Sequence, residues 1–246
     1  MPRYDFSAQR LFLDTPLMTG SLCELDRNQA NYLLNVLRLK DGSGVLVFNG
    51  RDGEWQTRVV VEGRKKAHLE CIEQARAQTA AGDLVYLFAP LKQARLDYMI
   101  QKAVEMGASH IVPVLTQYTQ VRKVNAERMR SNAIEAAEQC GVLSIPTFAE
   151  PADLATAIDA LESDRTIIFC DEGEASQNPL PALQAIERGP LAVLIGPEGG
   201  FSEDERTMLR ERANVVPIPL GPRVLRADTA AVAALALVQA VLGDWK

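Results

Sequence analysis

Two segments of the chain combine glycine, proline and charged residues in patterns that suit ligand chemistry. The first is Leu194-Ile195-Gly196-Pro197-Glu198-Gly199-Gly200-Phe201-Ser202. The second is Leu220-Gly221-Pro222-Arg223-Val224-Leu225-Arg226-Ala227-Asp228-Thr229-Ala230. Each reads as an apolar strand that turns into a helix. Ligands of open parallel sheets sit outside the carboxyl ends of the strands. Glycine lets a ligand approach the backbone closely, and free N–H groups at a helix start favour an anion such as a carboxylate. Neither turn has the GK[ST] of a phosphate loop or the GxGxxG of a dinucleotide turn, which argues against an ATPase or a dehydrogenase. Glu198 places a carboxylate inside the first turn, as a turn group or as a ligand contact. Arg226 stands just before the second helix, either solvated or facing a site. Asp228 and Thr229 read first as helix caps.

The remaining chemistry is limited. Only His68 and His110 are present, so a multi-histidine metal site is excluded. Cys23, Cys71, Cys140 and Cys170 stand singly with no CxxC pair, which argues against zinc and suits a reducing compartment. The 26 Lys+Arg against 32 Asp+Glu give a net charge of -6 over 246 residues. Taken alone, that sum argues against a nucleic-acid binder. The charge is unevenly spread, however. Residues 1–145 hold 18 Lys+Arg and 16 Asp+Glu, while residues 146–246 hold 8 and 16, with acidic clusters at Asp171-Glu172-Gly173-Glu174 and Glu203-Asp204-Glu205. The sum therefore does not exclude a nucleic acid, which would lie on the N-terminal part and the pocket mouth. The run Arg64-Lys65-Lys66 reads as an exposed turn. With 47% hydrophobic and 24% charged residues the mixture is globular. No signal peptide is visible, and the apolar stretch Ala230 to Leu242 reads as a buried helix, so a soluble, cytoplasmic protein is expected.

The elements that position the turns fall into two parts. Residues 1–75 show short strands at Arg10–Leu13, Val45–Phe48, Trp55–Val61 and His68–Ile72, punctuated by Gly, Asn and Asp. This pattern suits a small β-barrel. One helix interrupts it, capped by Asp26, with Ala30, Leu33, Leu34 and Leu37 at helical spacing. Residues 76–82 close a polar stretch from Gln74 to Gly82 without apolar period, read as the linker. Residues 83–246 alternate strand and helix. Strands are expected at Leu84–Ala89, His110–Leu115, Thr166–Cys170, Leu191–Ile195 and Val215–Leu220. Helices are expected at Arg95–Met106, from Asn125 to about Gln139, from Pro151, after Pro179, from a Ser202/Glu205 capping box, and from Asp228 or Thr229 to Gly243. Continuous apolar strands alternating with helices imply an α/β fold, a parallel sheet covered on both faces.

The paired turns, taken with other segments in the same order, resemble the RsmE family, which methylates N3 of a uridine in 16S ribosomal RNA. The other segments are Tyr32 to Leu39 followed by Phe48-Asn49-Gly50; Lys92 with Asp97 to Gly107; and Glu135-Ala136-Ala137-Glu138-Gln139-Cys140-Gly141. The resemblance runs nearly end to end. It implies a PUA-like β-barrel that binds RNA, followed by a SPOUT methyltransferase domain whose C-terminal strands form a deep trefoil knot. It also implies S-adenosylmethionine as cofactor without a metal, a homodimer with a shared active site, and 16S rRNA or the small ribosomal subunit as partner, with the uridine in the decoding region at the 3'-terminal helix. Two departures stand out: Asp228 replaces the family's frequent Glu, and Val142 replaces its usual Arg.

On that resemblance, Ile195, Gly196, Gly200, Ile218, Leu220, Gly221 and Leu225 are expected to hold the cofactor, largely through backbone. By residue type and motif position, Arg226 is expected to stabilise the uridinate anion and Glu198 or Asp228 to accept the N3 proton, the alternative being a mechanism of positioning alone. Arg10, Arg38, Lys92 and Lys102 are the candidates for RNA phosphate. The competing readings are a methyltransferase of the same class with another RNA target and a non-catalytic RNA-binding module.

Overall fold

The structure, a computed structural model, describes residues 8–63, 66–173 and 178–245. Arg64 and Lys65 of the basic run and Glu174 of the acidic cluster lie outside the described residues. The chain divides into two compact units. One comprises the residues to 80 together with 137–145, and the other comprises 81–136 and 146 onward. Among the described residues no helix is long and apolar enough to cross a membrane.

The first unit is a five-stranded sheet in the order β1-β3-β4-β5-β2, from β1 (Arg10–Phe12), β2 (Leu22–Glu24), β3 (Gly44–Phe48), β4 (Glu54–Val61) and β5 (Ala67–Arg76). All its pairings are antiparallel except β1 on β3. β2 was not legible in the sequence, and β5 runs on to Arg76, into the stretch read as linker. Leu33, Val47, Leu69 and Cys71 are among the residues that fill its core. Asp26 caps α1 (Arg27–Asn31) in a capping box with Gln29. The helical spacing then continues as a π-helical turn, Tyr32–Val36, closed by the Leu37 N–H on the Tyr32 carbonyl at 2.9 Å. Arg38 ends it in the left-handed region at φ 56°, which costs a non-glycine residue about 1–2 kcal/mol.

The second unit is a parallel seven-stranded sheet: β6 (Leu84–Phe88), β7 (His110–Leu115), β8 (Thr147–Phe148), β9 (Ala152–Asp153), β10 (Thr166–Cys170), β11 (Leu191–Ile195) and β12 (Val215–Ile218). The order is β12-β10-β11-β6-β7-β8, with β9 also on β7. The apolar runs at β7, β10 and β11 are strands over the residues read from sequence. Ile167, Phe169, Ala192 and Leu194 are fully buried in its core, the large side chains of Ile167, Phe169 and Leu194 each contributing about 1.5–3 kcal/mol.

Helices α2 (Gln93–Glu105), α3 (Ala126–Cys140), α4 (Leu154–Asp159), α5 (Leu180–Gln184), α6 (Glu203–Arg210) and α7 (Ala227–Val241) complete the chain. Gly107, at φ 83°, closes α2, its N–H on the Val104 carbonyl. The Gln239 amide of α7 then donates to the Met106 carbonyl at 2.8 Å. Asn125 caps α3 through the Arg128 N–H at 3.0 Å, and the expected capping box opens α6. Pro151 does not start a helix. It precedes β9, whose pairing with β7 delays α4 to Leu154. Asp228 and Thr229 are not caps either, because α7 begins at Ala227 with Arg226 at the N-cap position.

Candidate functional site

β10 lies between β11 and β12, and all three run parallel. Their carboxyl ends therefore meet at one sheet edge. The turn after β11, the turn after β12, the end of β10 and the start of α7 enclose a cleft. Of the residues expected to hold a cofactor, Ile195, Gly196, Gly200, Leu220, Gly221 and Leu225 line it, and so does Glu198. Ile218 does not. It is fully buried at the end of β12 and serves the core.

Glycine is required in this lining by geometry. Gly200 has φ 69° and an added Cβ would collide with the Glu172 carboxylate. A Cβ on Gly196 would enter the Phe201 ring, which itself stands edge-on to Phe169 at 4.9 Å. Gly221, at φ 88°, has open space where its Cβ would be. The wall at β10 carries charge that is already neutralised. Asp171, fully buried, is ion-paired to Arg206 and to Arg210 at 2.7 Å, while Glu172 meets Arg206 at 3.0 Å. Burial pushes the Cys170 thiol far above its ordinary value, so it lines the cleft as an apolar group rather than a nucleophile. The Tyr86 hydroxyl, buried with no hydrogen-bond partner among the described residues, is likewise raised by burial and then by Cys170 and Asp228.

Arg226 and Asp228 flank this cleft without lining it. Arg226 is exposed between Leu225 and Ala227, which do line it. Asp228 accepts the Thr229 N–H at 2.9 Å in the first turn of α7, a position that suits its charge.

A second cleft adjoins the first and shares Pro197 and Glu198 with it. Lys92, Arg95, Tyr118, Gln120 and Gly199 contribute to its walls. Arg95 Nη1 donates to Glu198 Oε1, so one ion pair stands where the two clefts meet. Tyr118 is 46% exposed, yet its loop is firmly built. The buried Thr119 hydroxyl accepts the Thr116 N–H at 2.9 Å, and Gln117 N–H donates to Glu205 at 2.8 Å. Gly199 packs so closely that a Cβ there would come within 3.1 Å of the Tyr118 Cβ.

The four residues expected at RNA divide. Arg10 is a correction. It is 2% exposed, donating to the fully buried Glu54 at 3.1 Å, and Arg76 pairs with the same carboxylate at 2.8 Å. A guanidinium enclosed in this way is structural and cannot meet a phosphate. Lys102 is held by Glu105 at 2.6 Å and lies 5.5 Å from the Tyr98 ring centre. Arg38 is exposed. Lys92 is exposed at the N-cap of α2 and has no ion pair among the described residues.

Arg95, Tyr118 and the Asp171 clamp were not read from the sequence. The rule that ligands gather at strand carboxyl ends singles out the loop after β7, which holds Tyr118. Nothing local marks Arg95. Among the described residues no group of three or more His, Cys, Asp or Glu could hold a metal ion.

Residues 78–239 match a model described as an RNA methyltransferase domain, and residues 25–71 match one described as an RNA methyltransferase PUA domain. The ribosomal RNA small subunit methyltransferase E of Rickettsia conorii is 31% identical over 94% of both chains. Among solved structures, the same enzyme from Neisseria gonorrhoeae, bound to S-adenosyl methionine, superposes with a TM-score of 0.87 at 27% identity, covering 97% of this chain and all of that one. A methyltransferase of Legionella pneumophila in complex with the same cofactor gives a TM-score of 0.82 at 28% identity, covering 95% of this chain and 97% of that one.

Proposed function

This chain belongs to the ribosomal RNA small subunit methyltransferase E family, and from that we propose that it transfers a methyl group from S-adenosylmethionine to N3 of a uridine in the decoding region of 16S rRNA, in the 3'-terminal helix. One observation carries the reading: both glycine turns of the resemblance line a single cleft. The cleft fits the cofactor. Ile195 and Leu225 offer apolar faces for an adenine, and its glycines expose backbone groups for polar contacts. The clamp on Asp171 keeps its charge from repelling or misdirecting a ligand.

S-adenosylmethionine supplies a methyl group on a sulfonium. Uracil N3 bears a proton, so the N3–C bond forms as the S–C bond breaks only once that proton leaves. Glu198 accepts it, directly or through water, and Asp228 is the second carboxylate in reach of the α7 start. Glu198 is paired with Arg95, so that contact must loosen when the base arrives. Arg226, exposed beside the lining residues, stabilises the uridinate anion. Positioning of the acceptor against the sulfonium supplies the rest.

Two further properties belong to this reading. The protein works as a homodimer in the cytoplasm: Val232, Ala233, Ala236 and Leu237 of the apolar α7 are only part-buried in one chain, and a second copy covers them. The segments after β11 and β12 form the trefoil knot that the family resemblance implies.

The test is mass spectrometry of 16S rRNA from a strain lacking the gene. Loss of one N3-methyluridine, restored by the wild-type protein, supports the reading. An unchanged 16S profile with loss of a methyl group from another RNA refutes it.

A further inference from the structure

We propose that the second cleft, walled by Lys92, Arg95, Tyr118 and the Pro197–Gly199 segment, binds the nucleotide that is to be methylated, with a pyrimidine base laid on the Tyr118 ring and a neighbouring phosphate on Lys92. The inference rests on the RNA methyltransferase reading and adds to it where the acceptor lies and which side chains hold it.

Contiguity is the first argument. A methyl acceptor approaches in line with the bond that breaks, so its space must open onto the cofactor cleft. The second cleft lies against it, with Pro197 and Glu198 lining both, and parting of the Arg95–Glu198 pair at the boundary would join them. The ring is the second. The Thr116–Thr119 turn, Glu205 on Gln117 and the close approach of Gly199 fix the backbone from which Tyr118 presents its exposed ring, so stacking need not order the loop. Aromatic rings presented in this way stack nucleobases. Charge is the third. Lys92 is an exposed ammonium without an ion pair among the described residues, on the rim of the same cleft. A base on Tyr118 would lie next to Glu198, so the carboxylate proposed to take the proton is at the boundary the base must cross. The Gln120 amide, in the same wall, can both donate and accept, which suits the carbonyl and N–H edge of a uracil.

The experiment measures methyl transfer to small ribosomal subunits from a strain lacking the modification, with S-adenosylmethionine affinity measured separately by calorimetry. Tyr118→Ala is expected to lower kcat/KM on the order of tenfold or more, mainly through KM, with cofactor affinity unchanged. Tyr118→Phe keeps the stacking face and is expected to recover most of the kcat/KM lost in Tyr118→Ala. Lys92→Ala, a surface change, is expected to weaken subunit binding and to reduce the slope of log Kd against log salt by about one phosphate contact. Wild-type kcat/KM in Tyr118→Ala, or an unchanged salt slope in Lys92→Ala, overturns the inference alone. If the wild-type protein methylates no ribosomal RNA, the functional reading fails and the inference falls with it.

Discussion

Arg95 on α2 and Glu198 in the turn after β11 are ion-paired although 103 residues separate them in sequence. The pair joins a helix start to the glycine turn and sits between two clefts. Both side chains remain more than a third exposed, at 37% and 47%. The pair therefore contributes little to folding, and the proposed mechanism gives it a part in proton transfer.

Glu198→Gln is expected to reduce methyl transfer about a hundredfold or more, the usual scale for a lost proton acceptor. Arg95→Ala is expected to change unfolding free energy by less than about 1 kcal/mol, as for an exposed pair. Its effect on kcat should be lost in the Glu198→Gln background, because the two act together. Single-turnover kinetics and urea unfolding of the three variants check this.

Gly200→Ala is expected to impair cofactor binding through the backbone. A left-handed φ of 69° is strained for alanine, and its methyl meets Glu172. The strain alone is about 1 kcal/mol or more. S-adenosylmethionine affinity should fall by roughly tenfold, while the thermal midpoint falls by only a few degrees. Calorimetry beside a thermal melt separates the two effects.

Glu54→Gln is expected to destabilise the first unit by about 3–5 kcal/mol, because it removes a buried charge that pairs with both Arg10 and Arg76. Guanidinium unfolding measures it. A near-neutral result would mean that the remaining contacts of the two guanidiniums suffice to hold their charge.

Stability should fall as the pH drops below the ordinary histidine value of about 6.5. Burial and then the nearby Arg165 hold His110 below that value, so the unfolded chain binds a proton more readily than the folded one. The neutral ring's contribution is complete above pH 6.5 and is lost as pH falls through the lower folded pKa. His110 Nδ1 also sits 2.7 Å from the Thr147 hydroxyl. Unfolding midpoints between pH 7.5 and 5 should therefore decline in the wild type, with a smaller decline in His110→Gln.

The sheet was legible where it is buried on both faces. His110–Leu115, Thr166–Cys170 and Leu191–Ile195 are apolar runs of strand length between turn signals, and they keep those boundaries in the fold. Strands of two or three residues such as β2, β8 and β9 have no period to read, because distant partners define them. The glycine turns were visible as a pattern, but their convergence depends on the order β12-β10-β11. Arg10 was misread for a related reason. Sequence displays a charge but not the Glu54 that folds against it 44 residues later. Arg95 and Tyr118 gain their meaning from the same kind of distant contact with the Glu198 turn.

The cleft after β11 and β12 takes Gly196, Gly200 and Gly221 into its lining beside its apolar and charged side chains. Replacement by alanine, the usual way to locate a binding site, removes no atom at those three positions. The informative survey here adds atoms: a methyl at each glycine in turn. The same property constrains any inhibitor directed at the cleft. A compound that satisfies main-chain donors and acceptors offers few side chains whose replacement could abolish its contacts, so resistance by substitution would have to arise through backbone movement or outside the cleft.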